Sequence, residues 1–128
     1  MEQMLYQPLE PIPTREEAIQ ILEQGTEEQL ALLPLQLGEY FPDWKFVQEI
    51  CITLCDHPSD EIRANALLGL SYTARTQGKL EYYRIKPVLL RELRDNLLCR
   101  GRVLDAVEDI NLFLHWRIGE HILQQEGR

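Results

Sequence analysis

At 128 residues, 45% of them apolar, the chain has the length of one domain, and a domain of this size folds without disulfide or metal staples. Three cysteines, an odd number, and a start from Met1 to Thr14 with no Lys or Arg but with Pro8, Pro11 and Pro13 predict a reducing cytoplasmic setting with no secretory leader, and no apolar run nears the roughly 20 residues of a membrane span. The net charge of −8 divides into 13 acids and two bases up to Ile62 (−11), then 8 acids and 11 bases from Arg63 onward (+3), so the first half would repel nucleic acid and attract a basic protein.

Residues 1–13 read as an extended N-terminal arm before a helical body over residues 14–128. Thr14-Arg-Glu-Glu17 and Thr26-Glu-Glu-Gln29 both match the capping box and predict two helix starts. The first helix runs to Gln24 with Ala18, Ile21 and Leu22 on one face and Gly25 as its stop. The second carries Leu30, Leu33 and Leu37, with Pro34 predicting a kink near Leu30. After the acidic cap Asp43, Phe46, Val47, Ile50, Cys51 and Leu54 form a stripe at helical spacing. Ser59 is placed to cap a long helix with Ile62, Ala66, Leu67, Leu70 and Ala74 inside, ending at Gly78. Pro87 fits the opening turn of a helix with Ile85, Leu89, Leu93 and Leu97 at i, i+4 spacing, and Gly101 separates it from a last helix bearing Val103, Ala106, Val107, Ile110, Phe113 and Leu114. No segment alternates as a half-buried strand does, so the expected fold is all-α with about six helices.

The chain also resembles itself. A shift of 40 lays Ala66, Leu67, Leu70 and Ala74 on Ala106, Val107, Ile110 and Leu114, and a shift of 39 lays Phe46, Ile50, Cys51 and Leu54 on Ile85, Leu89, Leu90 and Leu93. A period near 40 filled by two helices is that of HEAT-type repeats. Asp56-His-Pro-Ser-Asp-Glu-Ile-Arg-Ala-Asn-Ala-Leu-Leu-Gly-Leu70 resembles the HEAT consensus of an Asp-Pro turn and a helix with Val/Ile-Arg-x-x-Ala, which implies a short α-solenoid of about three helix pairs over roughly Thr26 to Trp116. Two departures stand out: Cys99-Arg-Gly-Arg102 where the third turn would lie, and Pro34 inside the first pair.

Few residues invite chemistry. Cys51 and Cys55 lie four apart with His57 beyond them, but no further pair completes a tetrahedral zinc set, so they read as small core residues and no metal or cofactor is expected. His115 and His121 with Glu120 suggest an acid/base pair, yet a spacing of six sets the imidazoles on opposite sides of a helix. Gly-rich phosphate loops and nucleophile elbows are absent. Catalysis is not expected.

Protein binding is better supported. On the last helix Asp105, Glu108, Asp109, Leu112 and Trp116 fall on one arc away from the apolar face, an acidic ridge that is either the polar cap of a solenoid or a contact surface. Tyr40 and Trp44, flanked by Glu39 and Asp43, are of the types found in binding hot spots, and Glu49 extends that acidic group. Arg63, Arg75 and Arg84 are open to two readings, interface residues or internal partners of Asp105 or Asp109. Ile62-Arg-Ala-Asn-Ala-Leu-Leu-Gly-Leu70, Ala74-Arg-Thr-Gln-Gly78 and Asp105-Ala-Val-Glu-Asp-Ile110 are similar to small acidic immunity proteins of contact-dependent or polymorphic toxin systems. That resemblance implies a cytoplasmic protein that blocks a cognate toxin domain, often a basic nuclease. A general HEAT-type adaptor would present the same solenoid, and a HEAT-like chromophore lyase, the enzyme alternative, would need a nucleophile that no residue here is placed to supply. If the acids steer the partner, reversing Glu39, Asp43 and Glu49 to Lys is expected to slow association.

Overall fold

The computed structural model describes residues 9–127. Residues 1–8 of the expected arm lie outside the described residues, and residues 9–13 carry neither helix nor strand. Among the described residues the fold is all-α, with helices α1 (Arg15–Gln24), α2 (Glu27–Tyr40), α3 (Trp44–Leu54), α4 (Asp60–Gln77), α5 (Tyr82–Asp95), α6 (Arg100–Leu114) and α7 (Glu120–Gln125). The helix beyond the expected number is α7, whose six residues are too few to show an apolar period.

Local chemistry sets the starts. Glu17 N donates to Thr14 Oγ1 at 3.1 Å, and both halves of the Thr26 capping box form, Gln29 N donating to Oγ1 at 3.2 Å and Thr26 N donating to Gln29 Oε1 at 2.9 Å. Asp43 accepts from Phe46 N at 3.2 Å and Ser59 from Ile62 N at 3.3 Å. Gly78 closes α4 at φ +69°, the left-handed conformation that favours a residue without Cβ.

Contacts that climb together along two helices show them to be parallel. Asn65 of α4 donates to Ala31 O of α2 at 2.9 Å, and further along Thr76 donates to Gly38 O at 3.1 Å. On the other side of α4, Arg102 donates to Asn65 Oδ1 at 3.0 Å. In the second layer Glu81 N donates to Gln48 Oε1 at 2.7 Å and Arg84 donates to Glu49 at 2.7 Å, aligning α5 with α3. The molecule is therefore a layer of α2, α4 and α6 backed by α3 and α5, with α4 central and packed on α2, α6 and α3.

Most of the predicted stripes form the core. Leu33, Leu37, Val47, Cys51, Ala66, Leu67, Leu70, Ile85, Leu89, Val103, Ala106, Val107 and Ile110 are 0% exposed. Two residues depart. Leu97 lies beyond the end of α5, which Asn96 caps, and is 70% exposed; Phe113 is 39% exposed near the end of α6. Gly101 does not separate helices but sits inside the first turn of α6.

Pro34 lies within α2, which continues through it to Tyr40, and the ring's missing N–H leaves the Leu30 carbonyl without its intrahelical donor. It also marks the closest approach of two helices. A Cβ at Gly69 would fall 2.5 Å from the Pro34 carbonyl oxygen, and one at Gly38 would fall 2.5 Å from the Gly69 carbonyl oxygen. Gly69→Ala is expected to lower stability in urea denaturation by about 1–3 kcal/mol through overpacking, although alanine is the better helix former by about 1 kcal/mol. An unchanged or raised midpoint would show that α2 and α4 separate without cost.

Candidate partner-binding surface

The three acids expected to steer a partner, Glu39, Asp43 and Glu49, are each ion-paired. Glu39 pairs with Arg75 at 2.6 Å and Glu49 with Arg84 at 2.7 Å; the Arg84 hydrogen bond holds the Glu49 carboxyl below its usual range. Asp43 caps α3 and pairs with Arg15, so the Phe46 N–H, and next to it the Arg15 side chain, pull its carboxyl down. Trp44 is half-buried and Tyr40 is 49% exposed. Arg63, Arg75 and Arg84 are thus ion-paired, but with Asp60 and Glu92, Glu39, and Glu49 respectively. Reversing Glu39, Asp43 and Glu49 together would break three ion pairs and a helix cap, and it would mix stability with steering.

The ridge on α6 is partly as expected. Asp105 and Asp109 are exposed, Glu108 is half-buried and Leu112 is 67% exposed. Trp116 does not belong to it: His115 turns the chain at φ 58°, and Trp116 folds back so that its N–H donates to Asn111 O at 3.0 Å. Its ring, half-buried, meets Tyr82 edge-on with centroids 5.0 Å apart. His115 and His121 lie in this turn and on α7 respectively, not on one helix.

A larger surface contains the ridge, and it was not read from the sequence. α4 is buried nearly all round; the strip it leaves open holds Glu61, Asn65, Leu68, Tyr72 and Arg75, spaced three and four apart and so on one face. On α2 the matching strip is Glu28, Leu32, Leu35 and Glu39, with Leu32 41% exposed. On α6 it is Asp105, Glu108, Asp109 and Leu112. Asn65 bonds to both α2 and α6, Arg75 of the α4 strip pairs with Glu39 of the α2 strip, and its charge reaches Asp109 of the α6 strip, so the three strips adjoin as one outward face. Arg75, in the last turn of α4, lies near one end of the face, paired with Glu39, its guanidinium 5.1 Å from the Tyr72 ring centroid. Asp109 also feels that cation, but its partial desolvation, then the charges of Asp105 and Glu108, outweigh it and raise its carboxyl pKa. A raised carboxyl binds its proton more tightly in the folded state, so ionised Asp109 works against folding, and this strain eases as pH falls into the carboxylate range.

No protein-family model matches the chain, and no curated protein matches it. A chain in the crystal structure of a CDI complex from Cupriavidus taiwanensis LMG 19424 aligns with a TM-score of 0.74 and 24% identity, over 87% of this chain and 98% of that one. The two share a fold along almost the whole of the solved chain.

A buried network at the opposite edge was also missed. Glu92, its side chain 1% exposed, lies 3.1 Å from Arg63 Nε and 3.3 Å from Arg91 Nε. Asn96 donates to its Oε1 at 3.1 Å and to Asp60 O at 3.0 Å. Arg63 donates on to His57 O at 2.9 Å and Arg91 to Cys55 O. The group ties the turn before α4 to the end of α5. No apolar period marks Glu92, since its neighbours in sequence are Arg91 and Leu93; only its position on the inner side of α5, between Leu89 and Leu93, hints at burial.

Cys51 and Cys55 are buried and Cys99 is half-buried, all as free thiols. Burial pushes the Cys51 thiol well above its usual value; burial and then the Glu92 charge push Cys55 up to about 12. Such thiols stay protonated and unreactive at neutral pH. A colorimetric thiol reagent is expected to titrate no more than Cys99 in the folded protein and all three cysteines after unfolding; reaction of Cys51 or Cys55 at the rate of a free thiol would contradict this packing. Among the described residues no group of three or more His, Cys, Asp or Glu could hold a metal ion, and no helix is long and apolar enough to cross a membrane.

Proposed function

We propose that the chain is a non-catalytic protein-binding module: a cytoplasmic immunity protein that binds the toxic domain of a cognate bacterial toxin and holds it inactive. The observation that carries this reading is the fold shared, over 87% of this chain and 98% of the other, with a chain found in a CDI complex. The net charge of −8 supports the finer part, a partner with a basic face such as a nuclease, because an acidic inhibitor is steered to a phosphate-binding surface and covers it. The HEAT-like sequence segments support the same reading, since stacked helix pairs act chiefly by presenting an extended surface.

The test is growth. If a toxin domain is encoded directly upstream of this chain, cells producing it are expected to arrest alone and to recover when the chain is co-produced, with the two proteins co-eluting as a complex. Arrest that persists despite ample soluble chain would overturn the immunity reading and leave the general adaptor.

A further inference from the structure

The outward face of the α2, α4 and α6 layer has the make-up of a docking surface. Its apolar part runs across all three helices, from Leu32 through Leu68 and Tyr72 to Leu112, the last 67% exposed. Carboxylates from each helix surround it. The opposite layer is mixed in sign: Lys86 of α5 is exposed there, and exposed Arg84 and Arg94 pair with Glu49 and Asp95. We propose that this outward face is where a basic protein partner docks, with aliphatic or aromatic side chains seated on Leu68 and Leu112 and a cationic side chain beside Glu39 and Asp109.

Charge complementarity selects the occupant. A second copy presenting the same face would set carboxylate against carboxylate, which disfavours self-pairing, whereas a basic surface meets opposite charge along the whole strip. Arg75 shows what this end of the face accepts. A guanidinium lies there between Glu39 of α2 and Asp109 of α6 and over the Tyr72 ring, and an arginine or lysine from the partner would find the same carboxylates and aromatic face. The raised carboxyl of Asp109 is in keeping with a cluster that gains from a further cation. Arg75 itself opposes the approach of a basic partner, so the face carries one built-in repulsion near this end.

This inference rests on the toxin-binding reading for the partner's identity but not for the location of the face, and two measurements keep them apart. In the first, the isotope-labelled protein is titrated with a synthetic amphipathic peptide of leucine and lysine, and amide shifts are followed by NMR. Shifts concentrated on α2, α4 and α6 support the face; shifts concentrated on α3 and α5 overturn it whatever the natural partner proves to be. In the second, association with the candidate toxin domain of the growth test is followed by stopped flow. Replacing Glu61, Asp105 and Asp109 by Lys is expected to cut the on-rate tenfold or more, while the same change in charge at Glu10, Glu16 and Glu23 cuts it less than threefold. R75Q is expected to raise the on-rate two- to fivefold, a gain that a merely structural arginine would not give. Circular dichroism confirms that each variant is folded. A toxin domain that fails to bind, beside peptide shifts on this face, sinks the immunity reading alone; binding that is equally slowed by both charge sets, or slowed by R75Q, sinks the face.

Discussion

Glu92→Ala is expected to destabilise the protein by about 3–5 kcal/mol, the range for removing one partner of a buried ionic group. The carboxylate is 1% exposed and sits between Arg63, which is 15% exposed, and Arg91, which is 36% exposed. Taking it away leaves Arg63 with Asp60 as its remaining carboxylate partner and removes an acceptor from buried Asn96. Arg91 keeps Asp56 at 3.2 Å and reaches water more readily, so the greater part of the loss falls on Arg63. Glu92→Gln separates shape from charge: it preserves volume and one acceptor, and is expected to cost less than alanine yet more than about 1 kcal/mol, since hydrogen bonds to charged groups contribute about 1.5–3 kcal/mol each. Chemical denaturation monitored by circular dichroism reads both values. A loss below 1 kcal/mol for the alanine variant would show that the two arginines are already solvated, and that the turn before α4 is held by its backbone alone.

The same network shows where sequence reasoning stops. Capping residues were legible because their chemistry is local: Thr14, Thr26, Asp43 and Ser59 each cap through a backbone N–H three residues ahead. The α4 stripe was legible because five apolar positions repeat at helical spacing, and the near-40 shift already paired α4 with α6 and α3 with α5, as the two layers do. Arg63 lies 29 residues before Glu92 in the sequence, and nothing in a local pattern says that their charges meet. The outward face was hidden for the opposite reason. Leu68 and Tyr72 are apolar, and periodicity alone sends apolar residues inward; only the packing of α2 and α6 on both flanks of α4 fixes which strip is left open. Among the expected partner-binding residues, Glu39, Asp105, Glu108, Asp109 and Leu112 fall on that face. Asp43, Trp44 and Glu49 belong to α3 and its cap, and Trp116 packs on Tyr82.

Leu93→Ala and Leu97→Ala form a matched pair, and their difference measures where α5 ends. In the sequence both belong to one i, i+4 stripe, which would give them equal weight in the core. In the fold Leu93 is 1% exposed, while Asn96 stops the helix one residue before Leu97 and leaves that side chain 70% exposed. Asn96 does so through tertiary contacts: its amide donates to Asp60 O and Glu92, and its own oxygen accepts from Cys99 N at 3.1 Å, which turns the chain into α6. Truncating Leu93 removes buried methyl groups and opens a cavity, for a loss of about 2–5 kcal/mol. Truncating Leu97 removes surface that water already covers, for a change within about 0.5 kcal/mol. Urea denaturation of the two variants under one set of conditions reads the contrast directly. Equal losses would mean that α5 runs on past Asn96 and that Leu97 is core; a large loss for Leu97 alone would require its side chain to be buried against another copy of the chain, and that loss would then shrink as the protein is diluted.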